Sequence, residues 1–272
     1  MGLTTAVTDM EFARGYAAAQ PQSGQPAEAY LNRWLTVTTD LDVLVGPRYR
    51  ARNPERPFVA VDAASRLITP ADLAALVAVT ADSFAAFKPE YVSLWSCDPA
   101  GRWPGTRSDK RNVAGRLGEL RRNRVPPELS AEIALGLDFY DRYAQIHRDH
   151  VAHDPAHGLH TRIESREDLS ELLHAGTLFE VLLNGRWAGL VAAEPRVQRG
   201  LRGAVVIELL LDLSVRGRGY GKHLSALLAQ HVEAPDDQFL LGTIHVDNTA
   251  AYRSALASGR QDVGGEVIVP LT

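Results

Sequence analysis

Cysteine is almost absent. Cys97 stands alone, so no disulfide can form within the chain. That usage fits a reducing compartment, and we expect a cytoplasmic protein. Cys97 itself reads as a small buried apolar side chain. No basic stretch followed by an apolar run opens the sequence, which predicts no secretory leader. No apolar run is long enough to span a bilayer, so no membrane partner is expected. A basic surplus is missing too: 29 Lys and Arg stand against 33 Asp and Glu, a formal net charge of −4. Bulk nucleic-acid binding is thereby excluded. What remains is ordinary for a globular protein, with 45% apolar and 23% charged residues over 272 positions. That length suits one large domain or two small ones, each able to bury a core.

Proline and glycine punctuate the chain. Residues 1–26 read as weakly structured, because 20–26 is polar and breaker-rich. A short helix is expected over 27–34, then strands at 41–45 and 58–61. Thr69-Pro70-Ala71-Asp72 reads as a helix start, with Thr at the cap and Pro in the first turn. That helix should run to about 87, before a strand at 91–96. Residues 102–124 hold Arg102, Arg107, Lys110, Arg111, Arg116, Arg121, Arg122 and Arg124 against Asp109 and Glu119. We expect a basic helix over 109–123, either a solvated face or a patch for an anionic partner. Val125-Pro126-Pro127 resists both helix and central strand and is the expected boundary between two parts, 1–125 and 126–272.

Beyond it, helices are expected from Ser130 to about 152 and over 165–175, where Ser165 and Asp168 can cap each other. Asn184-Gly185 between strand-like runs predicts a tight hairpin. A strand over 204–213, a helix over 221–231, a strand over 239–246, a helix over 249–257 and a strand at 267–270 follow. Strand–helix–strand with short links implies a parallel pair.

The strongest chemical signal is a buried strand from Val205 running into Arg216-Gly217-Arg218-Gly219-Tyr220-Gly221-Lys222, which opens a helix. The first amides of a helix lack internal partners and sit in positive potential. Glycines let a phosphate approach them. The spacing departs from the dinucleotide fingerprint, since the third glycine comes too early. It is no P-loop either, since His223 follows Lys222.

The motif resembles the acetyl-CoA signature of the GNAT superfamily, with Arg216, Gly219 and Gly221 at the matching positions. Glu208 stands eight residues ahead of Arg216, where that family often has Glu, and Leu213 replaces a common Pro. A second family element is matched by Asn248, Ala251 and Gly259. Two positions depart: Ala255 stands where the family often has a catalytic Tyr, and Arg260 where it has Phe. The resemblance covers about residues 130–272. It implies an α/β fold with a mixed, twisted sheet, two neighbouring strands splayed apart, and acyl-CoA in the gap. The part before residue 126 is then an α/β extension or a degenerate second GNAT-like copy.

The resemblance also implies roles. Amides of Gly217, Arg218, Gly219, Tyr220 and Gly221, with Arg216 and Lys222 beside them, hold the pyrophosphate of acetyl-CoA. Leu211, Asp212 and Leu213 border the pantetheine arm, with the Leu211 amide aimed at the thioester oxygen. Asn248 contacts the arm near the thiol. Attack by an amine needs a base, and Glu208 is the candidate. Strand alternation puts Glu208, Leu210 and Asp212 on one face, where Asp212 suits a cationic substrate. Without a ligand, both acids read as ion-paired strand residues. Tyr252 is the candidate acid, one turn early on its helix, with Ser254 and His245 as weaker ones. The expected function is acetyl transfer from acetyl-CoA to an amine in a ternary complex. A non-catalytic acyl-CoA sensor or scaffold is the alternative, and a homodimer stays open. His147, His150, His153, His157 and His160 fall in one stretch. Without cysteine beside them and with Pro155 between, they read as substrate contacts or a solvated loop, and no metal is assigned.

Overall fold

The computed structural model describes residues 7–19, 24–50, 53–98, 103–153, 163–198 and 200–271. In chain order the main elements are α1 (Met10–Ala18), β1 (Arg33–Thr38), β2 (Leu41–Tyr49), β3 (Pro57–Ala64), α2 (Leu73–Ser83), β4 (Tyr91–Ser96), β5 (Arg107–Arg116), α3 (Leu117–Arg121), β6 (Leu129–Ile133), α4 (Tyr140–His153), α5 (Arg166–His174), β7 (Leu178–Leu183), β8 (Arg186–Gln198), β9 (Leu201–Leu211), α6 (Leu224–His231), β10 (Phe239–His245), α7 (Thr249–Ala257) and β11 (Gln261–Pro270). The chain divides into two compact units, residues 1–109 with 264–272, and residues 110–263. Pro126-Pro127 lies inside the second, between α3 and β6.

In the first unit, β1, β2 and β3 form an antiparallel meander. β3 and β4 pair in parallel, and β4 then takes residues 265–270 of β11 as an antiparallel neighbour. The predicted cap before α2 is present, with Thr69 and Asp72 satisfying each other's backbone amides. Leu76 and Phe84 pack on Val43, Val59, Val92 and Val267. Three expectations fail here. Within 1–26, α1 forms because Asp9 accepts from the amides of Glu11 and Phe12, while Tyr16 and Ala17 pack on the core. The helix expected over 27–34 is one 3-10 turn, after which Trp34 enters β1 and stays 53% exposed. Cys97 is exposed.

The second unit orders its strands β5-β10-β9-β8-β7-β6, all neighbours antiparallel except the parallel pair β9–β10. The β7–β8 hairpin turns on Asn184 and Gly185, with φ of 51° and 71°. One sheet face packs Val181, Val191 and Leu211 under Leu224, Leu227 and Leu228 of α6. Burying each such leucine contributes roughly 1.5–3 kcal/mol. The other face packs Leu178, Leu190 and Leu210 under Tyr143 and Ile146 of α4 and Leu169 and Leu172 of α5.

Two predicted helices are strands over their first part and helical only later. The basic run over 109–123 is β5 followed by short α3, and two of its arginines find partners far along the chain. Arg111 donates to both oxygens of Asp262, at 2.9 and 2.7 Å, and Arg121 donates to Asp236 and to the carbonyls of Ala229, Val232 and Ala234. The helix expected from Ser130 begins only at Tyr140. Leu129-Ser130-Ala131-Glu132-Ile133 instead pairs with β7 as an edge strand. β9 ends at Leu211, so Leu213 lies in a 3-10 turn rather than in the strand.

Candidate functional site

The site is built on β9 within the second unit. β9 pairs with β8 along its length, but Glu208 faces Ala192 while Val206 faces Ala193, leaving Ile207 as a bulge. A bulge bends its strand and increases local twist. On its other edge β9 meets β10 at Gly203–Phe239, Ala204–Leu240 and Val205–Leu241. Gly203 allows that contact, since a Cβ there would lie 1.9 Å from the Phe239 carbonyl oxygen. Past Val205 the pairing stops, while β10 stays paired with β5 as far as His245. The facing edges therefore form a fork that opens toward the C-terminal ends of both strands.

At the open end of β9 stands the glycine-rich turn. The Asp212 amide donates to the Ala188 carbonyl at 2.7 Å. One Asp212 oxygen accepts from the Ser214 amide and hydroxyl at 2.9 and 2.8 Å, and the other from Arg142 Nε at 2.7 Å. Burial pushes this carboxyl up, but the hydrogen bonds from Arg142 and Ser214 outweigh it and bring it to about 2. Asp212 thus holds the turn, paired with α4 rather than left open for a cation. Arg216 also turns inward, donating from Nε to the Leu211 carbonyl at 2.8 Å, and burial lowers its pKa. Gly217 and Gly219 take φ of 75° and 83°, in the left-handed region. Among the described residues their amides have no hydrogen-bond partner. Arg218 and Lys222 are exposed beside them. Gly221 faces α7, where an added Cβ would meet Ser254 Oγ at 3.0 Å. The Tyr220 hydroxyl donates to Glu128 at 3.2 Å. Free amides next to two cations are suited to an anion.

Glu208, Leu210 and Asp212 share the α4 side of the sheet, as alternation predicts. The Glu208 carboxylate accepts from the Tyr143 hydroxyl at 2.9 Å, and His147 Nε2 lies 3.5 Å away. Tyr143 is fully buried, and burial, with Glu208 behind it, raises its pKa and keeps it a neutral donor. Neither Tyr143 nor Arg142 was singled out in the sequence, and His147 stood only among the histidines. The signal is the four-residue spacing of Tyr143 and His147 on α4, legible once the helix is known to start at Tyr140. His157 and His160 lie outside the described residues. Among the described residues, no group of three His, Cys, Asp or Glu is placed to hold a metal.

The second motif is structural at first contact. Asn248 caps α7, its Oδ1 accepting from the Ala251 amide at 3.0 Å. The Tyr252 hydroxyl donates to Asp262 at 2.7 Å, and that bond raises its pKa. Tyr252 is therefore brought together with Arg111 and Asp262 and not with Glu208. Ala255 is fully buried, and Leu213 is 41% exposed.

No protein-family model and no curated protein matches the sequence. Solved structures do match the fold. A GCN5-related N-acetyltransferase from Sphaerobacter thermophilus aligns over 100% of this chain and 94% of its own, with TM-score 0.52 and 12% identity. An acetyltransferase of the GNAT family from Colwellia psychrerythraea aligns over 83% of this chain and 84% of its own, with TM-score 0.51 and 12% identity. This chain has the GNAT fold. The likeness is not confined to residues 126–272, since one match spans the whole chain. Within this GNAT fold, the fork between β9 and β10 and the turn at its end present free backbone groups. No helix among the described residues is long and apolar enough to cross a membrane.

Proposed function

We propose that residues 110–263 bind acetyl-CoA in the β9–β10 fork and transfer its acetyl group to an amine in a ternary complex. The observation that carries this reading is the fork. Two parallel neighbours part beyond Val205 and Leu241, and the free Gly217 and Gly219 amides lie at the open end of β9. In this reading the pyrophosphate rests on residues 217–221 beside Arg218 and Lys222, and the pantetheine arm follows the free edge of β9 up to Leu211.

Glu208 takes a proton from the acceptor ammonium, directly or through a water, while the Tyr143 hydroxyl holds its carboxylate and His147 stands beside it. The freed nitrogen attacks the thioester carbonyl carbon and forms the C–N bond. The Leu211 amide stabilises the oxyanion. The C–S bond breaks, the amide nitrogen releases its second proton to solvent, and the leaving thiolate is protonated from solvent. Tyr252 directs its own proton at Asp262 and makes a poor acid there.

That engagement of Tyr252, together with buried Ala255, favours a second reading, a non-catalytic acyl-CoA sensor or scaffold. Glu208→Gln separates the two. Thiol release is measured with a panel of polyamines, aminoglycosides and lysine peptides, and acetyl-CoA affinity is measured in parallel. An enzyme loses about 100-fold in kcat with affinity nearly unchanged. A sensor shows no turnover in wild type and no change in binding.

A further inference from the structure

His147 stands at Glu208 without a task in the mechanism. It follows Tyr143 by one turn of α4, and the two rings meet edge to face with centroids 4.8 Å apart. Its side chain is 14% exposed. Its Nε2 is shielded from solvent and has no hydrogen-bond partner among the described residues. The Oε2 oxygen of Glu208 lies 3.5 Å away, just beyond ordinary hydrogen-bond length. Buried polar atoms are normally satisfied, so a ring nitrogen left open against a carboxylate calls for a reason.

The surroundings of Glu208 supply one. Each turnover leaves this residue with the proton of the acceptor ammonium. Its side chain is 15% exposed, and both oxygens are engaged. Oε2 accepts from the Tyr143 hydroxyl at 2.9 Å, and Oε1 accepts from the Leu209 amide at 3.0 Å. The Tyr143 oxygen in turn accepts from the Glu164 amide at 3.2 Å. Burial and the Glu208 charge push the Tyr143 pKa up, so its hydroxyl keeps its proton. A backbone amide carries none away. Of the groups around the carboxylate, imidazole alone binds and releases a proton near neutrality. The other charges that bear on these side chains are Glu164, before α5, and Arg216, in the turn. His150 follows one turn on along α4.

We infer that His147 relays the proton from Glu208 to solvent and so restores the carboxylate for the next turnover. This rests on the reading that Glu208 is the base. The O–H bond of the carboxylic acid breaks as an Nε2–H bond forms. The imidazolium then gives up a proton to water, which reaches the exposed part of its side chain. One proton enters and one leaves, with no further reactant. His147 touches no substrate and acts on the reaction only through Glu208.

The test is the steady-state rate of the full chain with acetyl-CoA and the amine of the panel that turns over fastest in wild type. His147→Ala and His147→Gln are compared with wild type in dilute phosphate buffer, with and without added imidazole. In dilute buffer both variants should lose about tenfold or more in kcat, with acetyl-CoA affinity unchanged. Added imidazole should restore His147→Ala at least about threefold and leave wild type unmoved. Glutamine can still hydrogen-bond to Glu208 but carries no proton. Should the Ala variant not fold, the Gln variant serves, with its rate rising with buffer concentration while that of wild type does not. A Gln variant at the wild-type rate would show that a hydrogen bond is all the site uses. An Ala variant indifferent to imidazole would show a structural loss. Either result overturns the inference and leaves Glu208 standing as the base. If wild type binds acetyl-CoA but turns over no amine, the catalytic reading falls and the relay falls with it.

Discussion

Asp212 holds the end of β9 through bonds within the protein. It accepts from Ser214 and Arg142 at the point where β9 becomes the glycine-rich turn. Removing it should lower stability by about 1–2 kcal/mol at pH 7. The sign with pH follows from its depressed pKa. Its carboxyl titrates near 2 in the fold, against about 3.9 for an unperturbed Asp. The stabilisation is present above the unfolded value and is lost as pH falls through the folded one. Urea unfolding of wild type and Asp212→Ala should therefore diverge at pH 7 and converge between about pH 4 and 2. A gap that persists at pH 2 would mean that packing, not charge, sets the effect. Tyr252 is a contrasting residue. Tyr252→Phe loses the bond to Asp262 and should cost about 1 kcal/mol in stability, with turnover changed less than about threefold. A loss of 100-fold would restore it as the acid. The turn was legible in the sequence because glycine, arginine and lysine report their chemistry by type and spacing. Tyr143 and Arg142 were not, because they meet Glu208 and Asp212 only across the sheet.

Among the elements, the bulge in β9 and the short β9–β10 pairing create the fork. Gly203 sits where the strands are closest, with no room for a side chain against Phe239. Gly203→Val should push the strands apart at the closed end, cost about 1–3 kcal/mol, and weaken CoA binding. A variant as stable as wild type in chemical denaturation would show that the close approach is dispensable. The hairpin at Asn184-Gly185, the capped helices and the β9–α6–β10 crossover were readable from turn and cap residues. β5 was not, since charges hid its alternation and the long-range partner Asp262 lies 151 residues away. β6 was missed because its five residues fit either period, and only pairing with β7 decides.

At the scale of the molecule, the GNAT fold accounts for more of the chain than its motifs do. The motifs lie between Glu208 and Arg260, yet the alignment with a solved GNAT structure spans the whole chain. The first unit repeats part of the logic of the second, with a parallel pair, β3 and β4, joined by a capped helix. Among the described residues its strand ends carry no glycine-rich turn like that at 216–221, and the proposed ligand site lies in residues 110–263. The most direct test of that claim is calorimetric titration of the full chain with acetyl-CoA, with free CoA as comparator, in wild type and in Gly219→Val. Wild type should bind both ligands one-to-one at roughly micromolar affinity. The variant should lose about tenfold or more, because its side chain strains the left-handed turn and covers the free amides. No binding by wild type, or equal binding by the variant, would contradict it.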